Sequence, residues 1–260
     1  MIESPTFLNS SSFWTLSKEG NKIIRDPQQE NLEKGFNWER FCDPSYGFDD
    51  LNYMWWEIND CYIFESNGCD YERMGCTIEQ GDVVVDIGAN IGIFARRASS
   101  RGASKIFCFE PGSKQFSCLL DNVDSKTECF KLAIGFQPGV IDLDFSAGSS
   151  LGGGSITGHL QSVRSETAIV MSLDYLFSIG LFPDHIDFLK IDCEGAEDLV
   201  FKGCSDDNLK RIQKIAMEFH SMILPEDVRE SIVHRLSGLG FSHFTLFHGS
   251  GNEVTLNFWR

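Results

Sequence analysis

The sequence predicts an α/β protein with a doubly wound, mostly parallel sheet that ends in a C-terminal antiparallel hairpin. Three observations carry this. From Gly81 onward, short apolar runs alternate with segments of helical spacing. The runs are continuous, as in VVVDI at Val83–Ile87, which is the pattern of strands buried on both faces. The last two runs flank Gly249-Ser250-Gly251-Asn252, a turn sequence.

In chain order, Val83–Ile87 leads through a glycine-rich turn into a helix over Ile91–Arg101. Lys105–Glu110 (KIFCFE) is the next strand and Ser113–Val123 the next helix. Glu128–Ile134 (ECFKLAI) reads as a third strand, and Val140–Phe145 as a fourth outside the main series. Ala147–Thr157 is too rich in glycine and serine for a regular element; within it, Gly148–Ser155 reads either as a lid over the site or as a surface loop. A short helix near Ser172–Ser178 precedes the strand Ile186–Ile191. Gly195–Gly203 is a helix with Gly203 as its stop. Gln213–Phe219 is a strand, Glu226–Gly238 a helix, and Phe241–Phe247 with Glu253–Phe258 the hairpin. No internal repeat is visible.

Residues 1–78 have a different texture. They hold four of the five tryptophans (Trp14, Trp38, Trp55, Trp56) and turn signals at Asp26-Pro27, Asp43-Pro44 and Asn67-Gly68. Only Asp50–Phe64 is periodic enough to suggest a helix running into a strand. This part reads as an irregular extension that packs on a main domain over residues 79–260, with a cleft lined by its aromatics as the alternative.

Composition narrows the function. Across 260 residues there are 22 Lys and Arg against 38 Asp and Glu, a net charge of −16. A protein that tracks phosphates neutralises them with basic side chains, so this balance argues against nucleic acid and suits a neutral or cationic ligand. Nine cysteines with no CxxC pair argue for reduced thiols rather than a zinc or redox cluster. The N-terminal stretch lacks the basic and apolar parts of a secretory signal, and no run approaches the ~20 apolar residues of a membrane span. A soluble, cytoplasmic protein is the expectation. Its oligomeric state is not legible.

The chemistry is expected at the carboxyl ends of the parallel strands, near the switch point. The first strand ends in Asp86-Ile87-Gly88-Ala89-Asn90-Ile91-Gly92. Glycines at this turn allow a close approach of backbone to ligand. A dinucleotide site has GxGxxG; here the spacing is GxxxG, without the glycine that admits a pyrophosphate. The second strand ends in Glu110, whose two acceptor oxygens suit the two hydroxyls of a ribose. Together these specify a nucleoside without a phosphate chain, and an adenosine carrying a sulfonium amino acid fits. Its cationic sulfur would be drawn to Asp86 and the other acids at strand ends.

The run Val84–Gly92 resembles the first motif of class I S-adenosylmethionine-dependent methyltransferases, and Phe109-Glu110-Pro111 their ribose-binding motif. More narrowly, Leu189-Lys190-Ile191-Asp192-Cys193-Glu194-Gly195-Ala196-Glu197 and Met217-Glu218-Phe219-His220 resemble the FkbM-type methyltransferase family. Asn122, Leu132-Ala133-Ile134-Gly135 and Ser172-Leu173-Asp174 follow the same pattern. The resemblance runs from Gly81 to Phe219. It implies a Rossmann-like fold, S-adenosylmethionine as cofactor, and methyl transfer, most often to oxygen. Asp86, Gly88, Ala89, Asn90, Gly92, Glu110, Pro111, Ala133 and Asp192 are then the expected cofactor-binding residues.

Methyl transfer to a hydroxyl needs alignment, exclusion of water and a proton acceptor. The candidates are Asp192 and Glu194 after one strand, and Glu218 and His220 at the end of the next. His220 titrates near neutral pH and is a candidate base, with a purely structural hydrogen bond as the alternative. Asp192, Glu218 and His220 are the expected catalytic residues. No metal is expected, although Asp192 and Glu218 on adjacent strands are a minor candidate pair for Mg²⁺. Glu194 is as easily read as a cap for the following helix. His234, His243 and His248 have no ligand spacing and read as surface or core residues. The acceptor expected from the family is a small molecule or carbohydrate, a hydroxyl on a sugar, a glycan or a glycosylated metabolite. Two alternatives remain: a nicotinamide-dependent oxidoreductase, and a non-catalytic interaction module on the same fold.

Overall fold

The computed structural model describes residues 71–146, 162–221, 223–248 and 253–260, together with three two-residue strands. The chain divides into two compact units, residues 1–36 and 37–260. In the first, β1 (Thr15–Leu16) pairs antiparallel with β2 (Ile23–Ile24). The second contains β3 (Val83–Ile87), α1 (Ile93–Ser100), β4 (Lys105–Phe109), α2 (Ser113–Asn122), β5 (Thr127–Phe130), β6 (Ala133–Ile134), β7 (Gly139–Ser146) and β8 (Gly154–Ser155). It continues with β9 (Ser162–Met171), α3 (Leu173–Ser178), β10 (Ile186–Ile191), α4 (Glu197–Lys202), α5 (Asp206–Leu209), β11 (Ile212–His220), α6 (Glu226–Gly238), β12 (His243–His248) and β13 (Glu253–Trp259). The expected helix-to-strand segment Asp50–Phe64, the four N-terminal tryptophans, all of the Gly148–Ser155 loop but β8, and the hairpin turn at 249–252 lie outside the described residues.

Seven strands form the main sheet in the order β12-β13-β11-β10-β3-β4-β5. The five from β11 to β5 are parallel. Their continuous apolar runs are buried as such runs should be: in β3 and β4 every residue after the first is enclosed. Ile87, Phe109, Leu189, Ile191, Met217 and Phe219 belong to one core cluster. The antiparallel strand is expected at the sheet's end, yet β13 lies second from the edge, paired antiparallel to both β11 and β12. Burial explains the order. Leu256 and Phe258 of β13 are fully enclosed, while β12 presents half-exposed Phe244 and Leu246, so the more apolar strand takes the inner position.

Four further strands, β6-β9-β7-β8, form a smaller sheet. As expected, β7 stands outside the main series. Its long antiparallel partner β9 is not among the strands expected from the sequence. Along β9, Ala168 and Val170 are buried while Ser165, Thr167 and Ile169 are exposed, a period of two that a small alanine inside and an isoleucine outside disguise. The single strand expected over Glu128–Ile134 is two strands in two sheets. Leu132 N–H donates to the Phe130 carbonyl at 2.9 Å, and this tight turn sends β6 to β9. Glycine 203 stops α4, but not through a left-handed cap, since its φ is −86°. A Cβ there would sit 2.1 Å from the Gly135 carbonyl oxygen, so close packing on the segment after β6 demands the glycine.

Tyr71–Ile78 packs on this frame. Tyr71, Cys76 and Ile78 are buried, and Glu72 forms a buried ion pair with Arg97 of α1. All six cysteines among the described residues are free. No helix among them is long and apolar enough to cross a membrane.

Candidate active site

The turn after β3 is built from left-handed residues: Gly88 at φ +74°, Asn90 at +48° and Gly92 at +92°. The glycines are expected to let a ligand approach, but their close neighbours are protein. A Cβ on Gly88 would lie 1.7 Å from the Asp192 carbonyl oxygen, and one on Gly92 would lie 2.9 Å from Leu119 of α2. The first glycine brings β3 against the end of β10; the second seats the start of α1 on α2. This turn also delays α1 to Ile93, two residues later than its sequence pattern suggests. Asn122 braces it, donating its amide to the Ile91 carbonyl at 2.8 Å.

The backbone donors of the turn are used internally. Gly88 and Ala89 N–H both donate to the Phe109 carbonyl, at 3.0 and 3.1 Å, and Gly92 N–H donates to Ala89. Asn90 N–H donates to Glu110 at 2.9 Å, and Gly112 N–H to the other oxygen of the same carboxylate at 2.7 Å. Burial pushes the Glu110 carboxyl up to about 7, against these two hydrogen bonds.

A cavity of about 310 Å³ opens at these strand ends. Gly88, Asn90, Glu110, Pro111, Ala133 and Asp192 line it, as does Glu194. The small sheet supplies the facing wall through Gly139–Ile141, Leu143 and Val170, which puts the unexpected strand β9 at the site. Of the other expected cofactor residues, Ala89 and Gly92 are not in the lining. Neither is Asp86, which is fully buried and paired at 3.3 Å with Lys190. Burial raises the Asp86 pKa, and the lysine charge opposes the rise.

Beside the cavity, carboxylates from the turn after β10 and from the first residue of α4 converge on His220, the last residue of β11. The imidazole Nδ1 is 2.9 Å from Glu197 Oε1, and Nε2 is 3.4 Å from Glu194 and 4.0 Å from Asp192. Burial disfavours the charged ring, but the Glu197 hydrogen bond and the charges of Glu197, Glu194 and Asp192 outweigh it. They hold the His220 pKa well above its ordinary value. Tyr71 places its hydroxyl between Glu218 Oε2 at 2.6 Å and Asp192 Oδ2 at 3.0 Å. Lys190 Nζ also reaches Asp192 Oδ2, at 3.3 Å. Glu218 and His220 do not line the cavity; His220 meets it through Glu194 and Asp192, and Glu218 through Tyr71 and Asp192.

Sequence reasoning brings together Asp192, Glu194, Glu218 and His220, and the structure does the same. Sequence reasoning passes over three residues that the structure brings in: Lys190, Glu197 and Tyr71. Lys190 and Glu197 stand inside the stretch Leu189–Glu197, as a buried lysine in an apolar strand and a third acid two residues past Gly195, and those are the signals that could have found them. Tyr71 has no signal. Glu197 is fully buried and accepts from Gly195 N–H at 3.0 Å, in the turn just before α4. Asp174, part of the family pattern, is structural: it accepts from Ser205 and Asn208 at 2.7 to 2.9 Å.

Sheet order, the glycine turn and the crevice at the switch point define a class I methyltransferase fold. Residues 86–241, more than half of the chain, match the methyltransferase FkbM domain, and the chain belongs to that family. Among solved structures it resembles the FkbM methyltransferase of Methylobacillus flagellatus, with a TM-score of 0.52 and 16% identity over 90% of this chain and 58% of that one. Among curated proteins it is 30% identical to the hexuronic acid methyltransferase AglP of Haloferax volcanii, over 58% of this chain and 61% of that protein. It is 25% identical to the 31-O-demethyl-FK506 methyltransferase FkbM of Streptomyces tacrolimicus, over 66% of this chain and 77% of that protein. The chain thus spans less than two thirds of the length of AglP.

Proposed function

We propose that the chain transfers a methyl group from S-adenosylmethionine to a hydroxyl, on a sugar, a glycan or a glycosylated small molecule. One observation carries the reading: Glu110 and Asp192 line the same cavity, a buried ribose-type acceptor on one side and a carboxylate cluster on the other. The residues fit this cofactor. Glu110 would take the ribose hydroxyls, and Gly88, Asn90, Pro111 and Ala133 would hold the rest. A nicotinamide dinucleotide is disfavoured, because the turn's N–H groups that would cradle a pyrophosphate already bond to Phe109 and Glu110. The sugar acceptor is supported by the likeness to AglP, a hexuronic acid methyltransferase.

When bound, the cofactor supplies an electrophilic methyl on a cationic sulfur. The chain's own residues align the acceptor and handle its proton. Asp192, at the cavity wall, is the group that accepts the hydroxyl proton, and Tyr71 and Lys190 hold its Oδ2 in place. His220, kept charged by three carboxylates, and Glu218 act through Asp192, as positioning residues. The surplus of acid suits a cationic cofactor and, with the net charge of −16, leaves nucleic acid an unsuitable acceptor.

Two measurements test this. Calorimetric titration should show S-adenosylhomocysteine binding and no NAD binding; a folded protein that ignores S-adenosylhomocysteine would overturn the proposal. Methyl-labelled cofactor should then deliver label to a carbohydrate fraction, and binding without any transfer would favour the non-catalytic module. A pH dependence follows from Glu110. The ionised carboxylate can accept from both ribose hydroxyls, whereas the protonated acid spends one oxygen as a donor and holds them much more weakly; in the free protein the Glu110 pKa is about 7. Affinity for S-adenosylhomocysteine should rise about tenfold from pH 6 to pH 8 and then level off.

A further inference from the structure

We propose that Asp192, Glu194 and His220 form a binding site for one divalent first-row cation, of which Mn²⁺ is the type. The site deepens the proposed function and rests on it for its catalytic meaning, but not for its existence. Asp192 Oδ1, Glu194 Oε2 and His220 Nε2 converge, with all three candidate ligand atoms within 4.8 Å of one another. The imidazole nitrogen is 3.4 Å from the Glu194 oxygen and 4.0 Å from that of Asp192. Metal–ligand bonds of about 2.1 Å set ligand atoms about 3 to 4.2 Å apart, so small side-chain movements close the set.

The groups behind the trio are arranged as supports for ligands. His220 is buried, and its Nδ1 is engaged by the fully buried Glu197, which fixes the ring with Nε2 toward the two acids. Asp192 has its Oδ2 held by Tyr71 and Lys190, so Oδ1 is the atom that faces the ring. Two of the three donors are therefore aimed by partners on their opposite atoms, the arrangement that orients ligands around metals. The ion would take the place of the proton on Nε2.

Electrostatics points the same way. Asp86, Asp192, Glu194, Glu197 and Glu218 are linked by contacts of 4.0 Å or less to Lys190, Tyr71 and His220. The second oxygen of Glu197 has no hydrogen-bond partner among the described residues despite complete burial. One nitrogen and two carboxylate oxygens suit Mn²⁺ or a neighbouring ion better than Mg²⁺, which prefers oxygen and water. Asp192 and Glu194 line the cavity while His220 lies behind them, so the open coordination positions face the acceptor. A hydroxyl bound there would lose its proton more easily.

The test uses the full chain, stripped with chelator and without cofactor or acceptor. Mn²⁺ is titrated in, and free ion is followed by electron paramagnetic resonance. One ion per chain is expected, with binding weakened tenfold or more in Glu194→Gln and in His220→Asn, and unchanged in Asp207→Asn on the exposed turn of α5. Because a variant could fail to fold, the bound wild type is also examined for nitrogen coupling from an imidazole ligand. Absence of stoichiometric binding, absence of that coupling, or binding indifferent to both substitutions would each overturn the proposal. S-adenosylhomocysteine titrated into the same metal-free sample separates the outcomes: if it binds while Mn²⁺ does not, the methyltransferase reading stands and the metal site falls.

Discussion

Lys190→Met is expected to lower the unfolding free energy by about 3 to 5 kcal/mol, the cost of leaving a buried carboxylate without its cation. Asp86 is fully enclosed and Lys190 nearly so. The ammonium is 3.3 Å from Asp86 Oδ1, 3.3 Å from Asp192 and 2.8 Å from the Gly88 carbonyl, and it lies 5.3 Å from the Tyr71 ring centroid. Methionine fills similar volume and keeps the ring contacts, so most of the loss is electrostatic. In a chain of this size it corresponds to a fall in Tm of roughly 6 to 20 °C. The pH dependence has a definite sign. Burial already raises the Asp86 pKa; without the lysine it rises further, and Asp86 folds as the neutral acid. The contribution of Asp86 to the variant's stability is then fully present below the unfolded pKa near ~4 and is lost as pH rises through the folded value. Adding Asp86→Asn to Lys190→Met should restore more than half of the loss. A double variant no more stable than the single one would show that the pair is not the cause.

Such a lysine shows how unevenly a sequence speaks. Strands β3, β4, β10 and β11 were legible because each is a largely apolar run closed by a turn signal, mostly buried on both faces, while the partly buried edge strand β5 was legible from its place in the alternation with helices. The acids at their ends were legible for the same reason: a charged residue directly after a buried strand has to be at the sheet's rim. The small sheet was not. Its β9 alternates Ala168 and Val170 inward with Thr167 and Ile169 outward, so side-chain size and polarity cancel the periodic signal. The split at Lys131 and Leu132 was hidden because Leu132, Ala133 and Ile134 prolong the apolarity of β5 across a change of sheet. Glycines gave the right turn for an incomplete reason, since Gly88 and Gly92 yield to Asp192 and Leu119. Tyr71 lies 121 residues from Asp192 and 147 from Glu218. Nothing local encodes a contact at that separation.

Glu110→Ala should raise the dissociation constant for S-adenosylhomocysteine by about 100- to 1000-fold. Two ribose hydroxyls donating to one ionised carboxylate contribute about 1.5 to 3 kcal/mol each when the charge is buried, less what water recovers in the enlarged site. Glu110→Gln keeps the shape and one acceptor oxygen, so a loss of about tenfold is expected. Both variants should abolish the rise in affinity between pH 6 and pH 8, since the titrating group is gone. The same burial acts on the free protein with the opposite sign. A carboxyl with pKa raised from 4.5 to about 7 is held more tightly protonated in the folded state than in the unfolded chain. Its contribution to stability is fully present below about 4.5 and is lost as pH rises through about 7. Near neutral pH the cofactor-binding group is therefore a source of strain in the empty site, which the ribose relieves. Thermal shifts on ligand binding should be larger at pH 8 than at pH 6 in the wild type and equal in Glu110→Gln. Wild-type affinity independent of pH, or Glu110→Ala binding within threefold of wild type while still folded, would remove Glu110 from the cofactor site.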